Sequence, residues 1–152
     1  MSEFKPFDDK LAGLIGALSP AGRRKLAAEI AKELRRSQQQ RIKQQKAPDG
    51  TPYQARKRQP LRGKTGRIKQ AMFQKLRTSR YIKAIGRNDA AVVEFTGKVQ
   101  RIARVHQYGL KDKANPHCQD VQYPERQLLG LNDIHTQMVE RLIIHHFSYS
   151  PL

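Results

Sequence analysis

Acidic residues are scarce in this chain. Thirteen aspartates and glutamates face thirty lysines and arginines across 152 residues, a net charge of +17 at pH 7. A surface this basic disfavours a cationic partner and selects an anionic one, either nucleic acid through counterion release or an acidic protein face. Charge alone does not choose between these two. Between residues 50 and 88 there is no acid at all, against twelve lysines and arginines. Cysteine is rarer still, with Cys118 alone. One cysteine excludes an intrachain disulfide and suits a cytosolic setting. Tryptophan is absent and only 38% of residues are hydrophobic. The core is therefore expected to be thin, with some apolar surface left for a neighbouring subunit. No run of eighteen apolar residues occurs and no signal peptide is visible. The expectation is a chain neither exported alone nor spanning a membrane.

The usual catalytic and metal patterns are also missing. His106, His117 and Cys118 invite a zinc reading, but zinc sites need about four ligands, usually in paired spacings. Thr78 or Ser79 can be written into a triad with His106 and Asp120, yet no nucleophile elbow frames either hydroxyl. Gly63-Lys64-Thr65 matches the end of a phosphate-binding loop. The full pattern needs glycine where Arg58 stands, and a preceding apolar strand. No enzyme activity and no cofactor are expected.

What is present is a set of helical stripes. Leu11, Leu14, Ile15 and Leu18 fall on one helical face, in a helix expected to start after Asp8. Ser19 and Pro20 end it and open the next, as an N-cap and a first-turn proline do. Leu26, Ile30 and Leu34 recur every four residues, with Arg23, Arg24, Lys32, Arg35 and Arg36 opposite, so a helix is expected over 20–45. Its last ten residues carry one strong apolar side chain, Ile42. That end is expected either to project into solvent or to lie on a partner. Residues 132–147 form a C-terminal helix with Ile134, Met138, Val139, Leu142 and Ile143 as its stripe. His145 and His146, facing different sides of it, read as surface residues.

Between these helices the pattern shortens. Residues 47–52 form a proline- and glycine-bounded turn. Residues 67–76 suit a short helix, residues 76–84 an extended run. Residues 81–86 and 91–96 read as a hairpin joined by Arg87-Asn88-Asp89-Ala90. Ile102, Ala103 and Val105 lie on a helix-like run closed by His106 and Tyr108 and stopped by Gly109. A polar loop over 111–120 follows, with almost nothing to bury and so mobile by expectation. Then comes VQYPERQLLGL. Leu128, Leu129 and Leu131 suit either core or a subunit interface. Because Pro124 restricts ladder pairing, the favoured reading is an edge strand that meets a neighbour.

The expected architecture is α+β. A long N-terminal helix and a C-terminal helix pack on a small, mainly antiparallel sheet, with a basic extended arm. We expect one domain with four parts: a helical portion at 1–46, the arm at 47–67, a mixed core at 68–131 and the C-terminal helix and tail at 132–152. Arg56, Lys57, Arg58, Arg62, Lys64 and Arg67 are the candidate contacts of the arm to a partner or to a DNA backbone. His106, Tyr108, Tyr123, Leu128, Leu129 and Leu131 are the candidate subunit-interface residues. Base-specific readout is not expected, since no helix-turn-helix, zinc-finger or RNA-recognition pattern occurs.

Three stretches then carry a family resemblance. IARVHQYG followed by YPERQLLGL resembles the signature of the phage virion morphogenesis proteins, the tail completion proteins of contractile-tailed temperate phages. LSPAGRRKLAAEIAKELRRSQQQRIKQQKAPDGTPYQARK at 18–57 and MFQKLRTSRYIKA at 72–84 match in the same order. The resemblance implies a structural role: completing the tail at its head-proximal end and preparing it for head joining. It implies a ring, sixfold in the style of hexameric tail tubes, with tail tube or sheath terminator and neck or connector proteins as partners. It implies a place in the virion after assembly in the host cytoplasm. The alternative class is a charge-driven, non-specific nucleic-acid-binding protein.

Overall fold

The computed structural model describes residues 5–56, 71–113, 116–117 and 119–149. Its elements run α1 (Lys5–Gly16), α2 (Pro20–Lys43), β1 (Ile82–Gly86), β2 (Ala91–Phe95), α3 (Gln100–Tyr108), β3 (Lys111–Lys113), β4 (Asp120–Gln122) and α4 (Asp133–Tyr149). The fold is α+β, and its strands form two separate two-stranded sheets, β1-β2 and β3-β4. The residues fall into two interleaved units, residues 1–35, 84–94 and 133–152 in the first and residues 36–83 and 95–132 in the second.

The first unit holds the aliphatic stripes. Leu11, Leu26, Ile30, Leu34 and Ile143 are buried together, with Ile15, Leu18, Val93, Met138, Val139, Leu142 and Phe147 packed against them. The break between α1 and α2 follows from Ser19, whose Oγ accepts the Gly22 N–H at 3.1 Å. That bond satisfies one of the orphan donors of a helix start, and Pro20 takes the position where no donor is needed. α1 begins at Lys5 rather than after Asp8, so Asp8 lies in its first turn and not at its cap. A carboxylate there still complements the positive end of the helix. β1 lies against α2 so closely that a Cβ on Gly86 would stand 2.4 Å from the Ala28 nitrogen and the Arg24 carbonyl oxygen. Only glycine allows that approach.

The second unit is built with less aliphatic material. Ile42, Tyr53, Ile82, Phe95, Val99, Ala103, Val105 and Leu128 are its buried apolar residues. The described residues of 67–76 form turns and no helix, and Phe73 has φ +65°. The polar loop at 111–120 is also more regular than expected at its ends. Lys111, Asp112 and Lys113 pair antiparallel with Gln122, Val121 and Asp120. Arg101 on α3 holds this ribbon through a 2.7 Å ion pair to Asp112, and Asp112 Oδ1 also accepts the Lys113 N–H. Short-range pairing supplies order that side-chain burial does not.

Candidate interaction site

The segment from Arg126 to Gly130 belongs to no helix or sheet and bends at Leu129. Side chains take the place of a strand partner. The Gln107 carboxamide oxygen accepts the N–H groups of Leu128 and Leu129 at 2.8 and 2.9 Å, while its nitrogen donates to the Leu129 carbonyl at 2.8 Å. Gln38 does the same to Gly130, donating to its carbonyl at 2.9 Å and accepting its N–H at 3.3 Å. The Arg41 guanidinium donates to the carbonyls of Leu128 and Gln127 at 2.7 and 3.5 Å and also reaches Gln38 Oε1. The Tyr53 hydroxyl donates to the Gln127 carbonyl at 2.8 Å. A carboxamide carries a donor and an acceptor side by side and so mimics a peptide edge.

The same device appears at Gln45. Its nitrogen donates to the Met72 carbonyl at 2.9 Å and its oxygen accepts the Met72 N–H at 3.0 Å. Burial lowers the pKa of Arg41 and raises that of Tyr53, partly offset by their mutual interaction.

A row of rings lies beside these contacts. Tyr53, Phe73, His106 and Tyr123 meet edge to face in sequence, with centroids 5.7, 4.9 and 5.1 Å apart. Such pairs add to plain burial. His106 sits in the middle, its buried Nδ1 without a hydrogen-bond partner. Its pKa falls to about 4, chiefly from burial and further from the charges of Arg126 and Arg56. Arg126 is 6% exposed. It fixes the chain that follows Tyr53 by donating to the carbonyls of Gln54 and Ala55 at 2.8 and 3.3 Å.

These contacts redistribute the residues expected to meet a neighbour. Leu128 is fully buried within its own subunit, so it is corrected from interface to core. The edge strand around it is corrected as well. β4 ends before Pro124, and the N–H groups of Arg126, Leu128, Leu129 and Gly130 are already bonded to His106, Gln107 and Gln38. His106 and Tyr123 pack on each other, and Leu129 is half-buried. Tyr108 and Leu131, 64% and 71% exposed, are the two that face outward. Of the arm residues, Arg56 is exposed. Lys57, Arg58, Arg62, Lys64 and Arg67 lie outside the described residues.

The residues of the paper triad have other occupations. The Thr78 hydroxyl donates to the Lys75 carbonyl at 2.7 Å, Ser79 Oγ accepts from Gln39, His106 is in the ring row and Asp120 is in β4. His146 is not a surface residue, since its side chain is 11% exposed and packs on Glu29 and Phe147. Among the described residues no group of three or more histidine, cysteine, aspartate or glutamate side chains is placed to hold a metal ion.

Sequence reasoning missed Gln38, Arg41, Gln45 and Gln107. The signal was present for three of them. Gln38, Ile42 and Gln45 continue the stripe of Leu26, Ile30 and Leu34 at helical spacing, and Arg41 is seven residues beyond Leu34. A glutamine at a stripe position faces inward and needs partners.

These polar side chains brace the chain's own backbone. The model of the phage virion morphogenesis family matches residues 2–148. The chain belongs to that family. It is 50% identical over 147 residues to tail completion protein S of Escherichia phage P2, covering 96% of this chain and 98% of that protein. No solved structure matches it.

Proposed function

We propose that this protein completes a phage tail at its head-proximal end, as a ring, and prepares that end to join the head. The observation that carries the reading is the near full-length 50% identity to a protein named for tail completion. Subunits would associate through closed, sixfold symmetry, and of the expected interface residues Tyr108 and Leu131 are the exposed side chains available for that contact. The opposite partners are the tail tube or sheath terminator and the neck or connector proteins. Assembly is non-covalent, and the finished protein resides in the virion.

Sedimentation velocity on wild-type protein and on the double variant Tyr108→Asp, Leu131→Asp tests the ring. The expected outcome is a closed oligomer for wild type and weakened association for the variant, with an unchanged unfolding midpoint. A wild-type chain that stays monomeric and folded at high concentration, alone and with tail components, sinks the ring. Loss of head-joined particles, with tails still made, upon removal of the gene is the corresponding test of tail completion.

A further inference from the structure

The net charge of the chain is not shared between its two units. The first unit carries nine lysines and arginines against nine acids. The second carries twenty-one against four, namely Asp49, Asp112, Asp120 and Glu125, and so holds the entire +17. Leaving residues 57–70 aside, the second unit still has fifteen against four. Because the units interleave along the chain, the sequence read in order does not display this division.

Within the second unit one hydrogen bond joins two basic segments. Gln39 on α2 donates to Ser79 Oγ at 3.1 Å. Arg36 and Lys43 stand three residues before and four after Gln39, on the same helical face and exposed. Arg80 and Lys83, also exposed, flank Ser79 from the other side. Arg80 lies over the Tyr81 ring at 5.5 Å. Lys83 Nζ donates to the Ser79 carbonyl at 3.0 Å, which leaves two of its three donors available. Gln39, Gln40, Thr78 and Ser79 stand beside these cations along the chain, and Glu33 lies one helical turn before Arg36. None of the exposed large apolar side chains of the described residues falls within the two segments 36–43 and 78–83.

We propose that this surface, with Arg36, Lys43, Arg80 and Lys83 gathered around the Gln39–Ser79 bond, binds the phosphate backbone of nucleic acid without reading its sequence. Four cations with amide and hydroxyl side chains beside them are the chemistry of phosphate contact. An acidic protein partner is the less fitting occupant, since protein interfaces centre on apolar or aromatic anchors, whereas the aromatic ring at this surface, Tyr81, already lies under Arg80. The proposal does not depend on the ring, because it concerns the folded chain by itself.

The test is fluorescence anisotropy of a labelled duplex DNA with the full chain at several salt concentrations. Wild type should bind with log K falling linearly in log salt. The variant Arg36→Gln, Lys43→Gln, Arg80→Gln, Lys83→Gln should flatten that slope by about 3 to 4, from about 0.9 per phosphate contact. A control variant, Lys10→Gln, Lys25→Gln, Lys32→Gln, Arg141→Gln, removes the same charge from exposed positions of the neutral unit and should keep the wild-type slope. Circular dichroism confirms that both variants fold. Equal flattening in the two variants, or loss only when the arm residues are changed, overturns the assignment. Poly-glutamate competing as strongly as DNA assigns the surface to an acidic protein instead and also overturns it.

Discussion

His106 is held neutral in a row of rings by burial and by the nearby charges of Arg126 and Arg56. Its pKa is lowered in the folded chain, so the unfolded chain takes up the proton first as pH falls. The stabilising contribution of the neutral ring is full above pH 6.5 and is lost progressively as pH falls towards 4. Urea midpoints should drop between pH 7 and pH 5 for wild type. They should drop less for His106→Phe, which keeps an aromatic ring and removes the titration. Identical pH profiles for the two proteins would remove His106 from this role. Gln107 is the other decisive residue. Gln107→Ala leaves the N–H groups of Leu128 and Leu129 without acceptors. The expected loss is about 2 kcal/mol or more in chemical denaturation, since each orphaned donor is costly.

At the scale of elements, α2 is the member that works in two different ways. Its N-terminal two-thirds is held by aliphatic packing on Leu26, Ile30 and Leu34. Its C-terminal third is held by Ile42 and by the polar contacts of Gln38 and Arg41. The alternatives expected for that end, projection into solvent or contact with a partner, both assumed that only apolar residues hold a helix down. Buried carboxamides hold it here within the subunit. The contact of α2 with β1 is tested by Gly86→Ala. With backbone atoms 2.4 Å from the new methyl group, the strand must move. Overpacking of this kind costs about 1–3 kcal/mol. Thermal unfolding at a wild-type midpoint would show that the strand and helix can separate freely.

On the scale of the whole molecule, no described helix is long and apolar enough to cross a membrane. The molecule's distinguishing property is its charge, and the arm is the part of it that sequence singles out. The triple variant Arg56→Glu, Lys57→Glu, Arg58→Glu should leave helix content unchanged, since Arg56 is exposed and lies outside the described helices, and an exposed charge contributes little to stability. It should reduce assembly of complete particles. Normal phage yield from that variant would show the arm charge to be a solvated surface only.

Much of this protein was determined by sequence alone. Period-four aliphatic residues mark α2 and the Met138–Ile143 part of α4, because a helix buries one face whatever surrounds it. Ile134 and Leu14, expected on the stripes, are instead exposed, and His135 is buried in place of Ile134. Ser19-Pro20 and Gly109 mark a helix start and a helix end, because capping is a local interaction. Val92, Val93 and Phe95 mark β2 beside a turn. The family resemblance was legible in the same way, from residues in order. Tertiary structure alone decided the rest. Leu128, Leu129 and Leu131 look alike in sequence, yet the first is sealed inside, the second half-buried and the third exposed. Which of them is covered depends on Gln38 and Gln107, ninety and twenty-one residues away from Leu128. The separation of a neutral unit from one bearing the whole +17 was equally hidden. Both arise from contacts between segments distant along the chain, and long-range contact leaves no local pattern to read.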